Sequence, residues 1–148
     1  MVSGVGIDMI DLSDFGRTLK RSGERFIQRI YTKGEIEYCR SQPHPSQSFA
    51  ARFAAKEAAM KALGIAGEEG LSWTDFEVVV SASGRPAMVL HAHAAVRSKT
   101  LQLQTLQISL SHSQSAAVAM VVAECLSSTP RKRQAKKAGK LAPRGRND

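Results

Sequence analysis

Alternating apolar and polar positions predict five strands, most of them in the second half of the chain. Residues 2–10 read as a buried strand, with Val5, Ile7 and Met9 on one face and Asp8 on the other. Further strands are predicted over residues 76–81, 87–91, 106–111 and 116–123. Short turns join the strand 76–81 to 87–91 and the strand 106–111 to 116–123, so we expect mainly antiparallel pairing.

Helical patterns dominate the first half of the chain. Helices are predicted over about 14–21, 24–30, 33–40, 48–63 and 92–101, with N-caps at Ser13 or Asp14, at Thr32, and at Ser46 or Ser48. Thr32 and Glu35 have the spacing of a capping box, and Gly64 suits the C-terminal stop of the alanine-rich helix 48–63. The order of elements predicts an α+β fold in which N-terminal helices pack on a largely antiparallel sheet.

Charge divides the chain into a nearly neutral part and a basic tail. Of the 148 residues, which carry a net charge of +8, the last 20 hold eight Lys or Arg and a single acid, Asp148. We expect one domain over 1–126 and a disordered tail over 127–148, because the tail has almost no large apolar residue. Such a tail could bind nucleic acid, an acidic protein or anionic lipid. A solvated extension is favoured, because no aromatic or Gly-Arg repeat accompanies the charge.

Cysteine usage and hydropathy indicate the cellular compartment in which the protein is expected. Cys39 and Cys125 suggest neither a disulfide framework nor a metal cluster. No segment resembles a signal peptide, and no apolar run approaches the roughly 20 residues of a membrane helix. We therefore expect a cytoplasmic protein that does not associate with membranes.

Two carboxylates are the strongest candidates for chemistry. Asp8 ends an apolar strand and Glu57 lies in the alanine-rich helix. If the fold brings them together they can hold Mg²⁺, which commonly takes one or two protein carboxylates together with phosphate oxygens and water. The plainer interpretations are that Asp8 caps a turn and that Glu57 pairs with Lys61 on a helix surface.

Basic residues on the same helix fit a phosphate-bearing substrate. A row of Arg52, Lys56 and Lys61 could neutralise phosphates, or it could be an ordinary solvated face. His112 ends a predicted strand among serines, which favours a functional role only slightly. A dinucleotide-binding loop is rejected at Gly4 and Gly6, because the third glycine is absent and no helix begins there.

Together these motifs resemble the holo-acyl-carrier-protein synthases, the small bacterial 4′-phosphopantetheinyl transferases. The resemblance covers about residues 2–126 and rests on Gly-Val-Gly-Ile-Asp at 4–8, Arg-Phe-Ala-Ala-Lys-Glu-Ala-Ala-Met-Lys at 52–61 and Ser-Leu-Ser-His at 109–112. It implies transfer of phosphopantetheine from coenzyme A to a serine of an apo acyl carrier protein, in support of fatty acid biosynthesis. It also implies a homotrimer with coenzyme A bound between subunits.

The resemblance also implies residue roles. Asp8 and Glu57 would bind Mg²⁺, and Glu57 and Lys61 would be catalytic, with Glu57 or a metal-bound water as the base. Contacts to coenzyme A are implied for Arg52, Lys56, Lys61, Gly64 and His112.

Two segments depart from the family pattern. Ile-Ala-Gly at 65–67 stands where the family often has Thr-Gly-Ile, beside the expected coenzyme A site. Asp14 stands where the family often has an arginine that meets the carrier protein. Docking would then use other residues, with Arg17, Arg21, Arg25 and Arg29 as candidates.

Two other functions remain open from the residues. A Mg²⁺ nuclease would use paired acids and a basic tail, but such enzymes commonly place the Glu and Lys two residues apart on a strand. A nucleic-acid-binding module working through residues 131–146 would leave Asp8 and Glu57 without a purpose. It would also lose its salt-dependent binding when the tail is deleted.

Overall fold

The computed structural model describes residues 1–126, which form five strands and four helices. In chain order these are β1 (Val2–Asp11), α1 (Leu12–Ile30), α2 (Lys33–Ser41), α3 (Pro45–Leu63), a 3₁₀ turn (Trp73–Asp75), β2 (Phe76–Val80), β3 (Pro86–Leu90), α4 (Ala92–Thr100), β4 (Leu103–His112) and β5 (Ala116–Cys125). The predicted α+β fold class is confirmed. The predicted tail, 127–148, lies outside the described residues, and the division into domain and tail stays a prediction.

The strands form two antiparallel sheets. One has the order β1-β5-β4, and the other is the β2-β3 hairpin. Helix α3 lies across β1 and β5, and its apolar residues join those of the hairpin and of α4 in the larger core cluster. A second cluster beneath α1 and α2 contains Phe15, Ile30, Tyr31 and Phe49. Helix α3 therefore runs through the centre of the molecule.

Glycines in β1 determine how closely that strand approaches α3. A Cβ on Gly4 would lie 1.8 Å from the carbonyl oxygen of Ala62, and a Cβ on Gly6 would lie 1.8 Å from the carbonyl oxygen of Ala58. Gly4 and Gly6 precede Asp8 by four and two residues. Because successive residues of a strand point to opposite faces, all three share the inner face of β1. The small residues on both elements bring the Asp8 end of β1 against α3.

We expect Gly6→Ala to displace β1 from α3, because no side-chain movement can relieve an overlap with a backbone oxygen. The free energy of unfolding should fall by about 3 kcal/mol or more, measured by urea denaturation. Gly16→Ala is the matched control, because its Cβ would come no closer than 3.9 Å to the Ser46 hydroxyl. Equal stabilities for the two variants would contradict the close approach.

The observed helix ends match some of the predicted caps and differ from others. Thr32 and Glu35 form the predicted capping box, and Gly64 ends α3 in the left-handed conformation with φ 68°. The predicted caps of α1 were wrong, because Asp11 accepts the Asp14 backbone N–H at 2.8 Å. The predicted start of α3 at Ser46 or Ser48 was also wrong, since the helix begins at Pro45.

One face of β1 is uncovered, which differs from the buried strand that was predicted. Val5, Ile7 and Met9 are 58%, 60% and 70% exposed, and Met120 on the neighbouring β5 is 44% exposed. The strand is apolar on both faces, but this chain covers only the face that carries Gly4, Gly6 and Asp8.

Among residues 1–126, no helix is both long and apolar enough to span a membrane.

Candidate active site

Asp8 lies where β1 meets α3, with its two carboxylate oxygens in different surroundings. Its Oδ1 accepts a hydrogen bond of 2.9 Å from Nζ of Lys61, which also donates to the Ile7 carbonyl at 3.0 Å. Its Oδ2 is buried and has no hydrogen-bond partner. A buried carboxylate oxygen without a donor is unfavourable unless a cation or proton reaches it. The Oδ2 atom of Asp8 is therefore free to bind a cation.

Glu57 lies close enough to Asp8 for their charges to interact. The pKa of Glu57 lies above its usual value, first because the carboxyl group is partly buried and second because the Asp8 charge repels its ionised form. Lys61, one helical turn further along α3, opposes the shift. The structure thus brings together Asp8, Glu57 and Lys61, three of the predicted site residues.

The two acids fit a cation that obtains its other ligands from elsewhere. Among the described residues, no group of three or more His, Cys, Asp or Glu could hold a metal ion. A site with two carboxylates, one of which has an unpartnered oxygen, suits a hard cation that also binds phosphate oxygens and water. Mg²⁺ has this chemistry, so the residues present fit the predicted ion.

The raised pKa of Glu57 predicts an effect of pH on the metal-free protein. The folded state keeps the Glu57 proton to higher pH than the unfolded chain. The resulting stabilisation is complete below the unfolded pKa and is lost as pH rises through the folded pKa. At neutral pH the ionised carboxylate therefore destabilises the fold. Glu57→Gln should raise Tm at about pH 7 in EDTA, and by less at about pH 4.

Thermal unfolding at both pH values, each with EDTA, measures this difference. Glu69→Gln, on an exposed residue in the loop after α3, is the matched control and should leave Tm unchanged at either pH. A Glu57→Gln protein that is less stable than the wild type at neutral pH would contradict the raised pKa.

The predicted basic row is not one surface. Lys61 is five residues from Lys56, about 140° around the helix axis, so the two side chains leave α3 in different directions. Lys56 is fully buried, and its ammonium donates to Oε2 of Glu35 at 2.7 Å and to the carbonyls of Ile30, Trp73 and Phe76. Lys56 therefore does not lie on a solvated face. The predicted contact between Lys56 and coenzyme A is also wrong, because the ammonium group is buried in the core and its hydrogen bonds are all made within the protein.

Two of the remaining predicted contacts, Arg52 and His112, lie apart from the two acids. Arg52 is only 5% exposed and packs on the ring of Tyr38. His112 ends β4, which is separated from β1 by the whole of β5, and it is exposed. Gly64 caps α3 three residues after Lys61. Within one chain, Arg52 and His112 are therefore not part of the group formed by Asp8, Glu57 and Lys61.

Comparison with known proteins shows the family of the chain. Residues 4–121 match the family model of the 4′-phosphopantetheinyl transferase superfamily. The chain belongs to this superfamily. It is 45% identical over 124 residues to the holo-[acyl-carrier-protein] synthase of Koribacter versatilis, covering 84% of this chain and 99% of that protein. The predicted phosphopantetheinyl transferase is thereby confirmed, and the nuclease and the nucleic-acid-binding module are set aside.

Solved structures of similar proteins share the architecture. The crystal structure of holo-[acyl-carrier-protein] synthase from Neisseria meningitidis has a TM-score of 0.79 at 29% identity, covering 84% of this chain and 99% of that one. The Helicobacter pylori holo-[acyl-carrier-protein] synthase, solved in complex with coenzyme A, has a TM-score of 0.72 at 30% identity, covering 81% of this chain and 99% of that one. The transferase fold predicted from the sequence is thus confirmed.

Sequence reasoning missed two residues around Arg52 and Lys56. Glu35 was identified only as part of a capping box, yet its carboxylate is the buried partner of Lys56. Tyr38 was not singled out at all, although its ring lies against Arg52. No signal in a single sequence connects either residue with α3, because each is more than a dozen positions from its partner.

Proposed function

We propose that this transferase moves the 4′-phosphopantetheine group of coenzyme A to a serine of an apo acyl carrier protein, with Mg²⁺ as cofactor, in fatty acid biosynthesis. The observation that carries this proposal is the buried, unpartnered Oδ2 of Asp8 beside Glu57 and Lys61. A metal shared with a diphosphate needs only such a pair of acids. The complex of the Helicobacter pylori relative with coenzyme A supports the same donor here.

Each residue of the site has a specific task in this reaction. Asp8 and Glu57 would hold Mg²⁺, which when bound neutralises the diphosphate and stabilises the leaving phosphate. Lys61 uses two of its three N–H groups on Asp8 and Ile7, so one remains for a phosphate oxygen. Glu57 would accept the proton of the carrier serine, directly or through water.

The bond changes follow from these positions. The serine oxygen attacks the phosphorus that carries the pantetheine group, and the bond between that phosphorus and the bridging oxygen breaks. The products are the serine phosphodiester and 3′,5′-ADP. Lys61 would balance the negative charge that grows on the leaving phosphate.

A homotrimer, the predicted oligomer, would explain the uncovered face of β1. Val5, Ile7, Met9 and Met120 form an exposed apolar strip on the outer side of the sheet. Such a strip favours an interface between copies of a chain. His112, which is remote from Asp8 in its own chain, would then reach the site of a neighbouring copy. Light scattering should give three times the chain mass, whereas the mass of one chain would contradict this arrangement.

The carrier protein is proposed to dock on α1. Arg21, Arg25 and Arg29 are exposed, and no ion pair engages them among residues 1–126, whereas Arg17 pairs with Asp14. These free guanidinium groups suit an acidic partner. A cytoplasmic location is proposed with this function, since coenzyme A and the carrier would have to meet the enzyme in the same compartment.

Intact-mass spectrometry of an apo acyl carrier protein tests the activity. Incubation with the full chain, coenzyme A and Mg²⁺ should add one phosphopantetheine, and EDTA should prevent the gain. A carrier whose active serine is replaced by alanine serves as the control and should remain unmodified. No gain with any of several acyl carrier proteins, under conditions where the enzyme binds coenzyme A, would contradict the proposal.

A further inference from the structure

The contact between α2 and α3 encloses a cation that has no anionic partner. Arg52 is 5% exposed, no carboxylate in residues 1–126 forms an ion pair with it, and its Nε has no hydrogen-bond partner. The nearby Glu35 already pairs with Lys56 at 2.7 Å. A buried guanidinium without an anion is unfavourable, so this arrangement calls for a negative group from outside the described chain.

The groups that do touch Arg52 hold it without neutralising it. The ring centroid of Tyr38 lies 4.1 Å from Cζ of Arg52, so the guanidinium lies over the ring face. Cys39 lies near Arg52, but burial raises the pKa of this thiol to about 11, so the sulfur is uncharged at neutral pH. Tyr38 is 37% exposed, so this pair lies at the outer end of the α2–α3 contact.

We propose that Tyr38 is a positioning residue that holds the guanidinium of Arg52 to receive a phosphate group of coenzyme A. This inference rests on the proposed function and adds to it the residue that orients a phosphate-binding arginine. The ring attracts the cation through its face and leaves the N–H edges of the planar guanidinium available for a phosphate. A flexible apolar side chain would supply neither the attraction nor the flat support.

Steady-state kinetics of two substitutions at position 38 test the role of the ring. Tyr38→Leu removes the ring, and we expect KM for coenzyme A to rise roughly three- to tenfold with kcat within a factor of two. Tyr38→Phe keeps the ring and should restore the wild-type KM. Glu37→Gln, on the exposed neighbour in α2, is the matched control. Equal KM values for the leucine and wild-type proteins, or a phenylalanine protein as impaired as the leucine one, would overturn the inference.

The Nε–Hε NMR signal of Arg52, assigned by its loss in Arg52→Lys, gives a readout that does not depend on turnover. In the wild type, coenzyme A should shift this signal, and in Tyr38→Leu the shift should require a severalfold higher coenzyme A concentration. If the wild type transfers nothing but this pattern appears, the proposed reaction fails and the positioning role stands. If coenzyme A binds without moving the signal, the inference is wrong even for an active enzyme.

Discussion

Asp8→Asn should lower the rate of phosphopantetheine transfer by about a thousandfold or more, because an amide cannot supply the charge that a hard cation needs. The change is nearly isosteric, so the strand and its approach to α3 should persist. The amide oxygen can still accept from Nζ of Lys61, which now donates to Oδ1 at 2.9 Å, so the loss of activity would report the lost negative charge. Glu57→Gln, and the alanine replacement of either acid, should have the same effect on transfer.

Transfer rates at saturating coenzyme A and Mg²⁺, together with calorimetric titration of Mg²⁺ into the coenzyme A complex, measure the effect. Asp11→Asn is the matched control on the same strand, since asparagine can also cap the start of α1. It should keep near-wild-type rates. An Asp8→Asn protein with more than about a tenth of wild-type activity would remove Asp8 from the metal site, since losing a cation ligand costs several kcal/mol of transition-state stabilisation.

The sequence singled out Asp8 and Glu57 as candidates and left their convergence conditional, although it contains features that permit it. Gly4 and Gly6 lie on the same face of the strand as Asp8, and the alanines of α3 allow close packing. Local signals also identified the capping box at Thr32 and the helix stop at Gly64. The capping box and the helix stop depend on neighbouring residues, where local sequence patterns are informative.

The orientation of α3 could not be predicted from the sequence. Alanine gives little contrast between buried and exposed positions, and α3 is buried on most sides, so its charged residues appeared to share one solvated face. The structure instead directs Arg52 and Lys56 toward α2 and Lys61 toward β1. The burial of Lys56 depends on Glu35, which is 21 positions earlier in the chain. Such a pairing has no local signature.

Lys56→Met should be the most destabilising single change outside the glycines of β1. The ammonium of Lys56 bonds to Glu35 and to three backbone carbonyls, and both charged side chains are fully buried. Its removal leaves the Glu35 carboxylate buried without a cation, although the backbone N–H groups of Thr32 and Val78 still donate to it. We expect the free energy of unfolding to fall by about 3–5 kcal/mol, measured by urea denaturation.

A double-mutant cycle separates the buried charge from the lost hydrogen bonds. In Lys56→Met/Glu35→Gln neither of the two positions carries a charge, and the amide oxygen of the new side chain still accepts from Val78 or Thr32. This protein should therefore recover part of the stability lost in Lys56→Met. Arg40→Met is the matched control, because it breaks the exposed ion pair between Arg40 and Glu24 and should change stability by less than about 1 kcal/mol. Equal losses for Lys56→Met and Arg40→Met would show that the buried pair does not hold α2 and β2 against α3.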